Sequence, residues 1–236
     1  MTRRVPVVPL LGLLGAALVA GLLSPEDAVQ GDLARLLNVH VPAAWVAYLA
    51  FGVTFVASIG YLLTRRLSWD RIAAASAELG VVFTGLTIFL GMIWGRPIWG
   101  VYWTWDARLT ATAVMFFVYL GYLALRRSIP DRQTRARRSA ILGIVAIAQL
   151  PVVHFSVYWW RTLHQPPTLL RPDEVQMDTP FLVAFLAAFS LFTVIYALLL
   201  RSRIRIEELE AEADELMASS AVVAGDAVST PTGRPS

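Results

Sequence analysis

The chain has 236 residues, of which 57% are hydrophobic and 16% charged, and its formal net charge is +3. With a mean hydropathy of +0.60, this composition excludes an ordinary soluble domain and predicts an integral membrane protein. The sequence contains no cysteine, which excludes disulfides, metal–thiolate clusters and thioether attachment of a cofactor. It also contains no lysine, so it lacks the phosphate-binding loop that an ATPase would need.

Six apolar segments are long enough to cross a membrane as helices, which takes roughly 17 to 25 residues for ~30 Å of hydrocarbon. We therefore predict an all-α membrane protein with six transmembrane helices. The first segment resembles a signal peptide, but its apolar run exceeds the usual signal core, so we interpret it as a retained helix. The segments run from about Val5 to Leu23, Ala43 to Leu63, Ile72 to Ile93, Leu109 to Leu125, Ala140 to Val157 and Phe181 to Leu200.

The arginines predict how the helices are oriented. All twenty basic residues are arginines, and basic loops are retained in the cytoplasm. Fifteen of them fall on the side of the two termini, which are therefore predicted to be cytoplasmic. The pI of about 9.6 then reflects membrane orientation and does not indicate nucleic-acid binding. The five arginines predicted on the outer side are Arg35, Arg96, Arg108, Arg161 and Arg171.

The C-terminal part of the chain changes character after Leu200. RSRIRIEELEAEADELM predicts a short solvated helix, and the small, polar remainder predicts disorder. We therefore expect a six-helix membrane domain at 1–206 and a cytoplasmic acidic tail at 207–236. Glu78 lies near the cytoplasmic end of its helix, where snorkelling or an interhelical hydrogen bond explains it without a function.

The most distinctive segment, WGRPIWGVYWTWDARLT, lies between the third and fourth predicted helices, from Trp94 to Thr110. Gly95, Pro97 and Gly100 are expected to break the third helix and allow a re-entrant or surface-lying turn. On a helical stretch after this turn, the side chains at positions 99 and 103 would share one face.

The distribution of tryptophans favours a ligand platform over an ordinary interfacial belt. A belt normally occupies both membrane faces, whereas only Trp69 of the eight tryptophans is predicted inside. Flat aromatic surface with a few charges suits a large planar anion. The tryptophans predicted outside are Trp45, Trp94, Trp99, Trp103, Trp105, Trp159 and Trp160.

Charged and imidazole side chains accompany the tryptophans. Asp106 suits an N-cap of the fourth helix, and a ligand role is equally open. His40 ends the first external loop, with Pro42 where a helix can begin, and His164 lies in the third external loop before a Pro-Pro pair. Imidazole is a common axial ligand of haem iron, so the side chains predicted at the outer face are those that a haem site needs. His154, inside the fifth helix, is interpreted as a packed helix residue.

The segment from Trp94 to Thr110 closely resembles the tryptophan-rich "WWD" signature of haem-handling cytochrome c maturation proteins. HVPAAW, and LHQ after a tryptophan pair, resemble the six-helix CcmC family in particular, and the similarity covers roughly Leu33 to Thr168. In that family two external histidines are taken to ligate haem iron, which carries over to His40 and His164. The tryptophan-rich segment is taken to hold the porphyrin, here with Trp94, Trp99, Trp103, Trp105 and Asp106.

The resemblance implies a protein of the bacterial cytoplasmic membrane that binds haem b non-covalently at the outer face and delivers it to the haem chaperone CcmE. CcmD and the transporter subunits CcmA and CcmB are the other implied partners, and no ATPase activity of its own is expected. Arg96 and Arg108 are inferred to pair with the haem propionates, since guanidinium binds carboxylate in a fork, with Arg161 as the alternative. The Pro-Pro pair after His164-Gln165 and the acidic tail depart from the family pattern, which leaves the loop geometry and the tail's role open.

Two other functions compete with haem delivery. A b-type electron-transfer membrane protein needs haem ligands spaced through the bilayer, whereas both candidate histidines are predicted on one side. A small-molecule transporter would be expected to carry charges or broken helices at mid-membrane depth, and the sequence offers Glu78 and little else.

Overall fold

The computed structural model describes residues 30–165 and 177–229, together with Ser24, Glu26, Asp27 and five positions between Val8 and Gly15; beyond Ala213 several positions are described by their backbone alone. Among these residues the regular secondary structure is helical. A short 3-10 helix, Asp32–Leu36, leads directly into the first long helix. The α-helices are α1 (Leu37–Thr64), α2 (Leu67–Trp99), α3 (Ala107–Ser128), α4 (Arg132–Ala146), α5 (Gln149–Trp159) and α6 (Thr179–Ser229).

Five helical segments are long and apolar enough to cross a membrane. They correspond to the second to sixth predicted transmembrane helices, with α4 and α5 together forming one segment. The first predicted helix, Val5 to Leu23, lies mostly outside the described residues, and the orientation of the termini stays a prediction. The five segments are Asp32–Thr64, Leu67–Trp99, Ala107–Ser128, Arg132–Trp159 and Thr179–Ala213.

The prediction that Gly95 and Pro97 break the third helix is wrong. Helix α2 continues through both residues to Trp99 and ends at Gly100, whose φ of 78° places it in the left-handed region. Proline removes one backbone hydrogen bond. Pro97 is only two residues from the last residue of α2, so this loss disrupts little of the helix. Residues 101–106 are not helical, so the tryptophans at 99 and 103 do not share a helix face. The prediction that His40 ends the first external loop is also wrong. His40 lies inside α1, because the 3-10 turn starts the helix before Pro42.

The predicted fifth helix is interrupted between α4 and α5, at residues 147–148. Pro151, the third residue of α5, has no N–H to donate to the carbonyl of Ile147, which weakens the helix there. The side chain of Gln149 crosses to α3 and donates to the carbonyl of Ala111 at 3.1 Å. At this interruption, a hydrogen bond therefore connects α5 to α3.

Helix α6 is far longer than predicted. It runs without interruption from Thr179 to Ser229, through the helix predicted after Leu200 and through part of the stretch predicted to be disordered. Arg203 binds Glu78 of α2 and Glu207 one turn further on. The interhelical bond expected for Glu78 is thus present, and it ties α6 to α2.

Small buried side chains hold α1 against α2. The two helices are antiparallel and joined by Arg65, in left-handed conformation with φ 60°, and Arg66. Small residues let membrane helices approach closely, and the buried alanines of the pair include Ala43, Ala47 and Ala50 of α1 and Ala73, Ala74 and Ala77 of α2. Ser76 donates to the carbonyl of Ala50 at 2.7 Å, and Phe51 stacks on Tyr119 of α3 at 3.6 Å between ring centroids.

Candidate functional site

A cavity of about 730 Å³ lies between the first turns of α1, the end of α2, the first turns of α3, the middle of α5 and the start of α6. This volume lies within the range of roughly 300–1,000 Å³ typical of small-molecule sites. Apolar and aromatic side chains make most of its wall. Six residues predicted for the site line it together: His40, His164, Trp94, Trp99, Trp103 and Arg108.

His40 projects from the first turn of α1. Its Nδ1 atom is buried and has no hydrogen-bond partner among the described residues. A Cβ atom on Gly91 of α2 would lie 3.1 Å from the Cε1 atom of the imidazole, so glycine leaves the ring its space. Leaving a buried polar atom without a partner costs free energy, which a ligand in the cavity would recover.

His164 lies in the loop that follows α5. Its Nδ1 atom is 3.0 Å from the carbonyl oxygen of Gln165 and 3.3 Å from Nη1 of Arg108. A guanidinium only donates, so Nδ1 makes one of these bonds at a time. The shorter contact assigns the proton to Nδ1, which leaves the lone pair of Nε2 free for a metal.

The surroundings of His164 also keep its ring neutral. Burial and, second, the guanidinium of Arg108 lower the pKa of His164 from 6.5 to about 4. A neutral imidazole is the form that ligates metals. The site therefore presents His164 as a ligand at physiological pH.

Arg108, near the start of α3, is a buried cation with unused binding capacity. Its Nη2 donates to the carbonyl of His154 at 2.8 Å, while its buried Nε has no partner among the described residues. No ion pair found within the described part of the chain includes Arg108. Because a buried charge is costly unless paired, this guanidinium is suited to a carboxylate of a ligand.

The cavity tryptophans form walls in different planes instead of one flat surface. Trp94 is 9% exposed, donates its indole N–H to Oε1 of Gln30 at 3.2 Å, and meets Trp99 edge to face at 5.3 Å and 89°. A Cβ atom on Gly95 would lie 3.1 Å from the ring of Trp99. The buried indole N–H of Trp103 has no partner among the described residues.

Three predicted site residues do not line the cavity. Trp105 is 80% exposed and meets Trp103 edge to face, with 5.7 Å between the ring centroids. Arg96 is exposed, donates to the carbonyl of Gly100 and lies 5.7 Å above the ring of Tyr102. Asp106 is the N-cap of α3, one of the two roles left open for it, and its Oδ1 accepts from the backbone N–H of Leu109 at 2.8 Å. Arg161, the alternative propionate partner, is exposed and also outside the cavity lining.

Sequence reasoning missed several residues that line the cavity. His154, interpreted as a packed helix residue, forms part of the wall, with its ring 6.3 Å from Tyr48. Its place near the outer end of the predicted fifth helix, ten positions before His164, was a usable signal. Gln30 carries no such signal, because its contact with Trp94 joins residues 64 positions apart.

Comparison with known proteins places this chain in a family. The sequence profile of CcmC, described as "Heme exporter protein C", matches residues 2–219. The "Heme exporter protein C" of Bradyrhizobium diazoefficiens is 40% identical over 197 residues, which cover 84% of this chain and 75% of that protein. The protein of the same name from Haemophilus influenzae is 38% identical over 204 residues, 86% and 83% of the two chains. A "Putative cytochrome c biosynthesis ccmC-like mitochondrial protein" of Marchantia polymorpha is 34% identical over 178 residues, 74% and 75% of the two chains.

Proposed function

Because this chain belongs to the CcmC family of heme exporter proteins, we propose that it holds haem in the cavity between its helices and hands it to the haem chaperone CcmE. Family membership and the membrane-type helices make it a haem-handling membrane protein of cytochrome c maturation, a transfer factor and not a catalytic enzyme.

One observation carries the proposal: a single cavity is lined by three histidines, four tryptophans and a buried arginine that has no ion pair within the described part of the chain. His40 and His164 are proposed as the axial ligands of the iron. Trp94, Trp99 and Trp103 supply the apolar walls for the porphyrin. Arg108 is proposed to bind a propionate through its unused N–H groups.

The bound species is proposed to be haem b, held without covalent attachment. The chain has no cysteine for a thioether bond, and bonds from imidazole to iron are reversible, as a carrier requires. Arg96 and Asp106, which sequence reasoning placed at the ligand, lie beside the cavity and are not proposed to contact haem in this arrangement.

CcmE is proposed to approach the side of the cavity that Trp105 flanks. The exposed side chains of Val101, Tyr102, Trp105 and Leu163 offer aromatic and apolar surface there, a composition enriched in protein interfaces. CcmD, CcmA and CcmB are the other proposed partners, and ATP hydrolysis is assigned to the transporter because this chain contains no lysine for a phosphate-binding loop.

The proposed location is the bacterial cytoplasmic membrane, with the cavity on the extracytoplasmic side. The arginine distribution supports this orientation through the positive-inside rule. All three histidines of the sequence line the one cavity. This placement disfavours a b-type electron-transfer protein, which needs ligands spaced across the bilayer.

Haem transfer to CcmE tests the proposal, using the full-length protein purified from haem-replete cells and reconstituted in lipid nanodiscs. Trp103→Ala is expected to lower haem retention, because it removes a cavity wall. Trp105→Ala is expected to retain haem but to slow its transfer about tenfold, the loss of ~1.4 kcal/mol of docking energy.

Trp69→Phe, away from the cavity, is the matched control and is expected to behave as the unsubstituted protein. If haem retention and transfer are unchanged in both Trp103→Ala and Trp105→Ala, the proposed site is contradicted.

A further inference from the structure

The loop that carries His164 is held in place by a residue that is distant from it in the sequence. Helix α5 ends at Trp159, and residues 161–165 continue outside any helix. Most of the loop is exposed. A ligand on such a segment needs other contacts to hold it in place, because iron coordination requires a fixed imidazole position.

Asp106 supplies these contacts from the start of α3, 56 and 57 positions earlier in the chain. Its Oδ2 accepts hydrogen bonds from the hydroxyl of Thr162 and from the backbone N–H of Leu163, the latter at 3.0 Å. The Thr162 hydroxyl in turn accepts from the backbone N–H of His164 at 3.0 Å. The carboxylate, the hydroxyl and the His164 amide thus form one continuous chain of hydrogen bonds.

The two oxygens of Asp106 divide their work between helix and loop. Oδ1 caps α3 through Leu109, while Oδ2 is used entirely by the loop. A carboxylate suits this position because it accepts on both oxygens, and a charged acceptor strengthens each bond. The hydroxyl suits position 162 because it donates to the carboxylate and accepts from His164 at the same time.

We propose that Asp106 and Thr162 act as positioning residues that fix the loop of His164 so that its imidazole faces the cavity. The inference rests on the proposed function, since it takes His164 as an iron ligand. It explains why an aspartate follows the tryptophans of the motif although its carboxylate does not line the cavity. Arg108, two residues later on α3, has its Nη1 atom 3.3 Å from Nδ1 of His164, so the start of this helix carries both the carboxylate that holds the loop and the guanidinium beside the ring.

Isosteric substitutions separate the loop contacts from the helix cap. Asp106→Asn keeps an oxygen for capping, since asparagine caps helices as well as aspartate does, but its amide presents N–H where Leu163 N–H needs an acceptor. Thr162→Val removes the hydroxyl at nearly constant shape, and Thr162→Ser restores it. Asp131→Ala removes the matched N-cap of α4, where Asp131 accepts from the backbone N–H of Thr134 at 2.7 Å.

The first measurement is the absorption and electron paramagnetic resonance spectrum of each full-length variant purified with haem. Asp106→Asn and Thr162→Val are expected to convert low-spin, six-coordinate haem to a high-spin form, and added imidazole is expected to restore the low-spin signal. Thr162→Ser and Asp131→Ala are expected to match the unsubstituted protein. If His164→Ala loses the low-spin signal while both Asp106→Asn and Thr162→Val keep it at full haem occupancy, the inference is overturned.

The second measurement is hydrogen exchange of the haem-free protein, which decides the role of the contacts even if His164 proves not to bind iron. The amides of Leu163 and His164 are expected to exchange about tenfold faster in Asp106→Asn and Thr162→Val, because each loses a hydrogen bond to or through a charged group. If neither variant accelerates the exchange of these two amides, the inference is overturned. A low-spin signal that survives His164→Ala, with accelerated exchange in the other two variants, would contradict only the proposed function.

Discussion

Three buried polar atoms without a partner in the described structure define the site at the scale of single residues: Nδ1 of His40, Nε1 of Trp103 and Nε of Arg108. Each such atom costs the folded protein about 1–3 kcal/mol. All three belong to residues that line one cavity. A ligand that brings a metal and carboxylates would satisfy such atoms, and each bond that it makes to them would contribute to its binding energy.

Arg108 and Arg96 offer a direct comparison of two arginines that the sequence does not separate. Arg108→Gln is expected to weaken haem binding by at least about tenfold, because a buried charge-assisted bond to a carboxylate is lost. Arg96→Gln is expected to change the haem dissociation constant by less than about twofold, since its guanidinium is exposed and binds Gly100. Haem titration of both variants measures the difference, and equal losses would place a propionate at Arg96 as well.

The pH dependence of haem binding reports the surroundings of His164. Its pKa is lowered to about 4 by burial and by Arg108, so the ring stays neutral well below the ordinary imidazole pKa of about 6.5. The unfolded chain binds the proton first, so the contribution of His164 to folding stability falls as pH drops from about 6.5 towards 4. We expect the low-spin spectrum to persist from pH 8 to about 5.5 and to be lost as pH approaches 4. A midpoint near 6.5 would show that the ring is solvated.

At the scale of elements, the site depends on how closely α1 and α2 approach. Gly91 of α2 lies against the imidazole of His40, and Gly80 lies under the ring of Phe51, where a Cβ atom would come within 2.3 Å. Interiors packed to this density do not absorb an added methyl group freely. The position of the His40 ring is therefore set by the helix opposite it.

Gly91→Ala is expected to displace the His40 ring and to raise the haem dissociation constant severalfold, because the added Cβ would lie 3.1 Å from the imidazole. Gly52→Ala, also in a membrane helix but with nothing within 4 Å of the added Cβ, serves as control and is expected to bind haem normally. Haem titration with both variants provides the test. Unchanged affinity of Gly91→Ala would show that the ring moves without loss.

At the scale of the whole molecule, the protein has two ends of different chemistry. The cavity with its histidines and tryptophans lies at one end. Towards the other, Arg126 and Asp70 form a buried bidentate pair between α3 and α2, with the second contact at 2.9 Å, and Arg203 binds Glu78. The ion pairs fix the helices relative to one another at the end where the positive-inside rule predicts cytoplasm.

The sequence was sufficient to predict the features that depend on composition along one segment. Hydropathy gave the five described membrane segments, and arginine positions grouped His40 and His164 with the tryptophans that share their cavity. The continuation of α2 through Pro97 was not predictable from helix propensity, because its cost depends on how many turns follow. The contact between Asp106 and the His164 loop was not predictable either, because it joins residues far apart in sequence. The tail at 207–236 as a separate unit stays a prediction.

The most direct test of the account is the spectrum of haem bound to the full-length protein and to His40→Ala, His164→Ala and the double variant. The account predicts that each unsubstituted chain binds one low-spin haem, whose iron has two imidazole ligands. Each single variant should turn high-spin and regain the low-spin signal with added imidazole, and the double variant should lose haem during purification. Low-spin haem at full occupancy in either single variant would contradict the claim that these two histidines bind one iron.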